Sequence, residues 1–313
     1  MKFKKVVLLN ITKSALDKSY WSKIDKLVAK RVHLSRDSSK VRAELVDADC
    51  LLVNFGTLVT KEDIDVAPDL KYIGALATAF GKIDIDYAKR KGIPVTNLAG
   101  YSTEAVAEFT IAAILEHIRQ LEEGKRRGRS GNYSEESISA AELRGSVFSV
   151  IGLGSIGRRV AELARGFDAD VRYWSRTKKK VAGVKYQAAD SLLKEADFLS
   201  INLAQTPETE GFLNPARVNR IKAGTVVINT APMELVNVAA LAKRLSKNDM
   251  TFILDHSDEM SEKDLKQLSK HKNCVIYPPI AYITKEARIA KQVMFVDNIE
   301  SFLKGSPKNV VNI

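Results

Sequence analysis

Six consecutive residues, Gly152, Leu153, Gly154, Ser155, Ile156 and Gly157, have the spacing that holds a pyrophosphate. They follow an apolar run, Val147–Ile151, and open a helical stretch, Arg158–Gly166. That context gives a G-x-G-x-x-G segment its meaning. Gly152 permits the tight turn, Gly154 lets backbone approach phosphate, and Gly157 lets the helix pack on the strand. The helix start then offers free N–H groups and the positive end of its dipole to an anion. An acidic residue about 20 positions on would hold a ribose 2′-OH. Here that place reads Ser175, Arg176, Thr177, then Lys178–Lys180, with no acid. A carboxylate repels a 2′-phosphate, whereas hydroxyls and a guanidinium attract it. The expected cofactor is therefore NADP(H), with NAD(H) as the alternative. Ser175, Arg176 and Thr177 bind the 2′-phosphate in this reading, Lys178 assists, and Lys179 and Lys180 are a solvated turn.

These residues need a parallel sheet behind them. Short apolar runs alternate with helical patterns along nearly all of the 313 residues. Val6–Leu9, Leu51–Asn54, Tyr72–Leu76 and Pro94–Thr96 read as strands. A long helix follows, about Thr103–Leu121, with Ser102 as its cap. A second series then runs through Val147–Ile151, Val171–Trp174, Phe198–Asn202, Val226–Asn229, Phe252–Leu254 and Val275–Tyr277. Strands separated by helices imply parallel sheets with right-handed crossovers. Two series imply two doubly wound α/β domains, with closure around a ligand cleft. A last helix, about Lys285–Leu303, ends at Gly305–Pro307.

Composition narrows the partners. The chain is 45% hydrophobic, enough for real cores. It has no run of about 18 apolar residues, so no membrane span is expected. The first ten residues hold too short an apolar stretch for a secretory segment, which needs roughly 7–15. Two cysteines, Cys50 and Cys274, and four scattered histidines show no metal spacing. A cytoplasmic, metal-free protein is expected. The net charge of +11 comes from lysines spread along the whole chain. Its densest cluster, Lys125, Arg126, Arg127 and Arg129, lacks interleaved aromatics, so no nucleic-acid partner is expected.

At this point the chain resembles the D-isomer-specific 2-hydroxyacid dehydrogenases, in particular the glycerate dehydrogenase and hydroxypyruvate reductase branch. The resemblance rests on LKYIGALATAFGKIDIDYAKRKGIPVTNLAGYSTEAVAE (70–108), ELRGSVFSVIGLGSIG, PPIAYITKEAR and GSPKNVVN, in the family's order and spacing. It implies a flavodoxin-like substrate domain, 1–100 plus 285–313, with a Rossmann NAD(P)-binding domain, 101–284, inserted in it. It also implies a homodimer built on the long helix and the arm after it, and a small-molecule substrate. By position, Thr206 and Thr209 line the cofactor. Thr230, Ala231, Pro232, Asp255, Pro279 and Ala281 lie on its nicotinamide side. Asn54, Phe55 and Gly56, with Thr78 and Ala79, match loops that hold a substrate carboxylate.

The family's chemistry, hydride transfer between nicotinamide and the carbon bearing a hydroxyl, uses an arginine clamp, a proton-exchanging histidine and a glutamate that holds it. Aligned on INTAPM, the arginine position is Pro232; aligned on YPPIA, the histidine position is Pro279. The glutamate position is Met260 by strict counting, or Glu259 after a one-residue shortening. A general acid contributes about 10²–10⁴ in rate, so reduction of a 2-keto acid is expected to be very slow. His256, Tyr282, Tyr101 and Glu234 are the candidate replacements. Two readings follow. One is an NADP-dependent oxidoreductase with a changed substrate, such as an imine or activated double bond. The other is a catalytically silent cofactor-binding sensor or partner-binding dimer.

Overall fold

A computed structural model describes residues 2–312; the side chain of Glu259 lies outside the described residues. The chain divides into two compact units. One runs to Ser102 and resumes at Thr284; the other is Thr103–Ile283.

In the first unit, β1 (Phe3–Leu9), β2 (Val28–Leu34), β3 (Cys50–Val53), β4 (Tyr72–Ala75) and β5 (Val95–Thr96) form a parallel sheet. Its order is β2-β1-β3-β4-β5, the flavodoxin-like winding. The central strands are buried on both faces, which explains their continuous apolar runs. One face packs Val7, Leu51, Ile73 and Val95. The other packs Val6, Leu52, Tyr72 and the terminal helix Lys285–Leu303 through Phe295, Val296 and Ile299.

The second unit holds β6 (Val147–Ile151), β7 (Asp170–Trp174), β8 (Lys185–Tyr186), β9 (Phe198–Ile201), β10 (Val226–Asn229), β11 (Thr251–Leu254) and β12 (Cys274–Ile276). The order β12-β11-β10-β9-β6-β7-β8 is that of a Rossmann domain extended by one strand. All of these pairings are parallel. The winding reverses between β6 and β9, and ligands bind such sheets outside the carboxyl ends of the strands at that point.

Two strands were not expected from sequence. Most of β2 (VAKRVHL) is only partly covered, and the two residues of β8 are exposed. Both lie at sheet edges, where no apolar run is needed. The long helix is also shorter than expected. It spans Thr103–Ile118, and Gln120, at φ 50°, turns the chain into a second helix, Leu121–Arg129. In that second helix the basic cluster is tied down locally. Arg126 and Arg127 pair with Glu123 at 2.7 Å, and Lys125 lies 3.6 Å from Glu116. Arg127 also donates to the carbonyls of Ser134 and Glu136. Among the described residues there is no three-residue group of metal-ligating side chains, and no helix is long and apolar enough to cross a membrane.

Candidate functional site

The turn after β6 is built so that only glycine fits at two of its three places. Gly152 has φ +94°, and a Cβ there would stand 2.6 Å from the Asn202 carbonyl oxygen. A Cβ on Gly157 would stand 2.0 Å from the Gly152 oxygen. Gly154 is different: a Cβ would meet nothing within 4 Å, and the residue is exposed. The protein forbids side chains where the turn is tight and leaves open space where a phosphate would sit. The helix Ser155–Gly166 starts there with Gly154 as its cap residue and no capping side chain. Ser155 is exposed, while Leu153 is buried and Ile156 packs into the core. Uncapped N–H groups at the positive end of a twelve-residue helix suit a pyrophosphate. These residues therefore fit a dinucleotide.

The loop after β7 corrects the expectation drawn from its residue types. Ser175 is buried, and its hydroxyl donates to the Thr177 carbonyl at 2.7 Å, so that proton is already committed. Lys178 lies over the Tyr186 ring, 5.4 Å from its centroid, on the outer edge of the sheet. Lys179 is exposed, as expected, but it also reaches back and donates from Nζ to the Leu153 carbonyl at 2.7 Å. The hydroxyl of buried Tyr173 fixes this crossing: it accepts from the Lys179 N–H at 2.8 Å and donates to the Lys179 carbonyl. Arg176 and Thr177 are exposed, and Arg176 lies 3.7 Å from Glu208.

Glu208 belongs to the loop after β9. There Thr209 is buried and spends its hydroxyl on the Ala204 carbonyl at 2.7 Å while accepting from the Thr206 N–H at 2.8 Å. Thr209 thus shapes the loop. The Thr206 hydroxyl and the Arg176 charge hold the Glu208 carboxyl below its usual range. Asn202, just past β9, was not singled out from sequence. Its Nδ2 donates to Ser200 at 2.9 Å, but its buried Oδ1 has no partner among the described residues. That acceptor lies on the residue whose backbone confines Gly152. Only the fold shows it.

The ends of β10 and β11 bring Pro232 and Pro279 onto one framework. Buried Asn229 donates from Nδ2 to the Ala231 carbonyl at 2.8 Å and accepts from the Ala231 N–H at 3.3 Å. This sets the turn through Thr230, from which Pro232 leads the short 3-10 helix Met233–Leu235. The Asn229 carbonyl accepts from the Asp255 N–H at 3.3 Å. Asp255 Oδ1 in turn accepts from Ile280 at 2.9 Å and Ala281 at 3.0 Å. Burial pushes the Asp255 carboxyl above its usual range, against the pull of those two N–H groups. Met260 is partly buried and packs against the domain core. Glu234 is exposed, and His256 is half-buried. Tyr282 is exposed at the rim; burial of its hydroxyl, and Asp258 and Asp255 nearby, raise its pKa.

Residues 111–281 match the profile of the D-isomer specific 2-hydroxyacid dehydrogenase NAD binding domain. The chain belongs to this family. A glyoxylate reductase of Aeropyrum pernix is 33% identical over 279 residues, which cover 85% of this chain and 83% of that protein. A hydroxypyruvate reductase of Blautia hydrogenotrophica is 31% identical over 287 residues, 88% of either chain. Among solved structures, a D-lactate dehydrogenase from Aquifex aeolicus with NAD and lactic acid superposes with a TM-score of 0.87 at 28% identity. So does an acyclic imino acid reductase (Bsp5) with NADPH and D-Arg, at 26% identity. Both matches cover 98% of this chain and 99% of the other. The fold is thus the two-domain parallel-sheet fold of the 2-hydroxyacid dehydrogenases, whose nucleotide domain binds NAD(P).

In this dehydrogenase-family chain the first unit carries its own constellation. Asn54 follows β3, and its Nδ2 donates to the Asn10 carbonyl at 3.1 Å, tying together the loops after β1 and β3. The sheet winding reverses between those two strands. Phe55 and Gly56 are exposed, with Gly56 at φ +71°. Thr78 and Ala79, after β4, are exposed as well. Thr78 donates its hydroxyl to the Leu98 carbonyl at 3.1 Å and accepts, through its own carbonyl, from Asn97 at 2.6 Å. Tyr101 follows three residues after Leu98, with the Lys291 ammonium 5.8 Å from its ring centroid.

Proposed function

We propose that the chain is an NADP(H)-dependent reductase whose substrate presents a carbon–nitrogen double bond beside a carboxylate. The observation that carries this reading is the framework Asn229–Asp255–Ile280. It fixes the backbone beside Pro232 and Pro279, the positions at which the family pattern has its arginine and histidine. Proline has no side-chain donor, acceptor or charge. A ketone needs an acid for the oxygen that becomes an alkoxide, and neither position supplies one. A protonated imine needs none. A bound nicotinamide would supply a hydride; with that hydride on an iminium carbon the C=N π electrons would return to nitrogen, giving a neutral amine without a proton from the protein. The likeness to an imino acid reductase complexed with NADPH supports the same class.

The cofactor preference rests on the loop after β7, which holds no carboxylate, sends Lys179 to the nucleotide turn and leaves Arg176 exposed beside the loop after β9. In this reading Arg176 and Lys179, rather than Ser175 and Lys178, meet the 2′-phosphate, and Asn202 Oδ1 accepts a ribose hydroxyl. A charge-assisted bond is worth about 1.5–3 kcal/mol, or about 10–100-fold in affinity. Lys179→Met is expected to weaken NADPH by about 10-fold or more and to leave NADH within about 3-fold. Lys178→Met is the control and changes neither. Titration of both coenzymes by tryptophan quenching measures this, and equal affinity of the unaltered protein for NADPH and NADH would refute the preference.

The first unit is taken as the substrate domain and the whole as a homodimer. Residues 130–142 are exposed nearly throughout, with Tyr133 89% exposed, as expected of an arm that packs on a second copy. The activity is tested by mixing pyruvate with excess methylamine, which form an imine in solution, and following NADPH at 340 nm. Oxidation with the mixture, and none with pyruvate alone, is the expected result. NADPH binding without oxidation across a range of keto acids and amines would instead favour the cofactor-gated binding protein.

A further inference from the structure

Pro232 leaves the proposed substrate carboxylate without its cation on the nucleotide domain. The first unit holds one that no sequence motif marks. Lys291 lies in the second turn of the terminal helix Lys285–Leu303. The next residue, Gln292, is buried; it accepts from the Asp17 N–H at 2.5 Å and donates to the Asp17 carboxylate at 3.0 Å. Asp17 closes the loop that leaves β1. Lys291 also stands beside Tyr101, whose segment is tied to Thr78 through Leu98. These contacts place Lys291 at the carboxyl edge of the first sheet, the edge that carries Asn54–Gly56 and Thr78–Ala79.

The other covered cations of this chain have counter-ions. Lys5 pairs with Glu44 at 2.7 Å and with Asp47, and Arg244 pairs with Asp249. One turn before Lys291, Arg288 pairs with Asp17 at 2.5 Å. Lys291 is half-buried, yet among the described residues no carboxylate lies within ion-pair distance of its Nζ. The Tyr101 ring is a weak partner for an ammonium. A half-buried charge without a counter-ion costs stability, so packing gives no reason for it. A ligand anion would give one. Burial pushes this ammonium below the usual lysine range, and a bound carboxylate would raise it again.

We propose that Lys291 binds the substrate carboxylate within the first unit, at the sheet edge that carries Asn54–Gly56 and Thr78–Ala79. This deepens the imine reading and rests on it for the substrate class. The count of groups agrees: an imino acid needs one cation for its carboxylate and no acid for its nitrogen. Lys291 supplies that one cation, where a keto acid would require two functional side chains.

The test is calorimetric titration of oxamate, a planar carboxylate, and of its neutral counterpart oxamide, with and without saturating NADPH. The expected result is that the unaltered protein binds oxamate and not oxamide. Lys291→Met should weaken oxamate by about 30-fold, and Lys291→Arg should recover most of that loss. NADPH affinity should stay unchanged and the melting temperature should not fall in either variant, whereas removal of a lysine with a structural role would lower it. Lys291→Gln serves if the methionine variant does not fold. Equal oxamate affinity in Lys291→Met, no oxamate binding by the unaltered protein, or a matching loss of melting temperature overturns the assignment. If oxamate binding depends on Lys291 while pyruvate with methylamine oxidises no NADPH, the imine reading falls and the anchor stands.

Discussion

A Gly154→Val chain is expected to melt close to the unaltered protein and to bind neither NADPH nor NADH. The expectation follows from the difference between three glycines of one turn. At Gly157 a Cβ would lie 2.0 Å from the Gly152 oxygen, so the helix must move off its strand. Overpacking of that kind costs about 1–3 kcal/mol and more where backbone is the obstacle. Loss of binding in a Gly157 variant would therefore report on folding as much as on the ligand. At Gly154 nothing lies within 4 Å of the same atom, and φ is −76°, outside the left-handed region that favours glycine. Valine is a poorer cap residue than glycine, a cost of about 1 kcal/mol at most. In a domain of this size that is about 2–4 °C in Tm. Its methyls occupy the open space over the uncapped helix start. A pyrophosphate held off those N–H groups loses both hydrogen bonds and the dipole, and an affinity loss of about 100-fold or more follows. A ligand that binds only the folded protein raises Tm by mass action, so thermal melts with each coenzyme give a direct readout. If 1 mM NADPH still raises the Tm of Gly154→Val as it does that of the unaltered chain, the cradle has been misplaced.

That glycine pattern was legible because it is local. A turn, the helix it opens and the strand it follows occupy one stretch of sequence, and their dihedral and packing demands select residue types directly. The central strands were legible for a related reason: burial on both faces demands runs such as CLLV and VVIN. The edge strand β2 demands no such run, so its alternation of lysine, arginine and histidine with valine passed as loop. Residue types in the loop after β7 were informative, but their directions were not. Adjacent Lys178 and Lys179 go to Tyr186 and to Leu153, and only the position of the Tyr173 hydroxyl under the loop decides which goes where. Counting puts Met260 at the glutamate position, and only the fold shows that its side chain packs against the core. Asn202 and Lys291 were invisible for a deeper reason. Each is distinguished by a partner it lacks among the described residues, and a missing partner is a property of the folded arrangement.

The double substitution Pro232→Arg, Pro279→His is expected to create glyoxylate or hydroxypyruvate reduction at least about 100-fold above the unaltered protein. The framework favours it. Asn229 fixes Ala231 and Asp255 fixes Ile280 and Ala281, so each new side chain would start from a backbone held by its neighbours. Pro232 sits at φ −53°, ψ 143°, a conformation arginine adopts without strain. Neither proline takes part through an N–H, so both replacements add a donor and remove none. An arginine alone supplies a clamp without an acid, and a histidine alone supplies an acid without orientation. Groups that act as a unit are strongly non-additive, so each single variant should gain less than about tenfold, with the double exceeding their product. The same pair should not improve turnover of pyruvate with methylamine, because an iminium ion needs no proton and a second cation beside it is repulsive. Gain of keto-acid reduction together with loss of imine reduction would show that these two positions set the substrate class. A double variant that binds NADPH normally and reduces no keto acid would mean that the arginine and histidine of the family pattern do not belong at 232 and 279, and the case for imine chemistry would lose its main support.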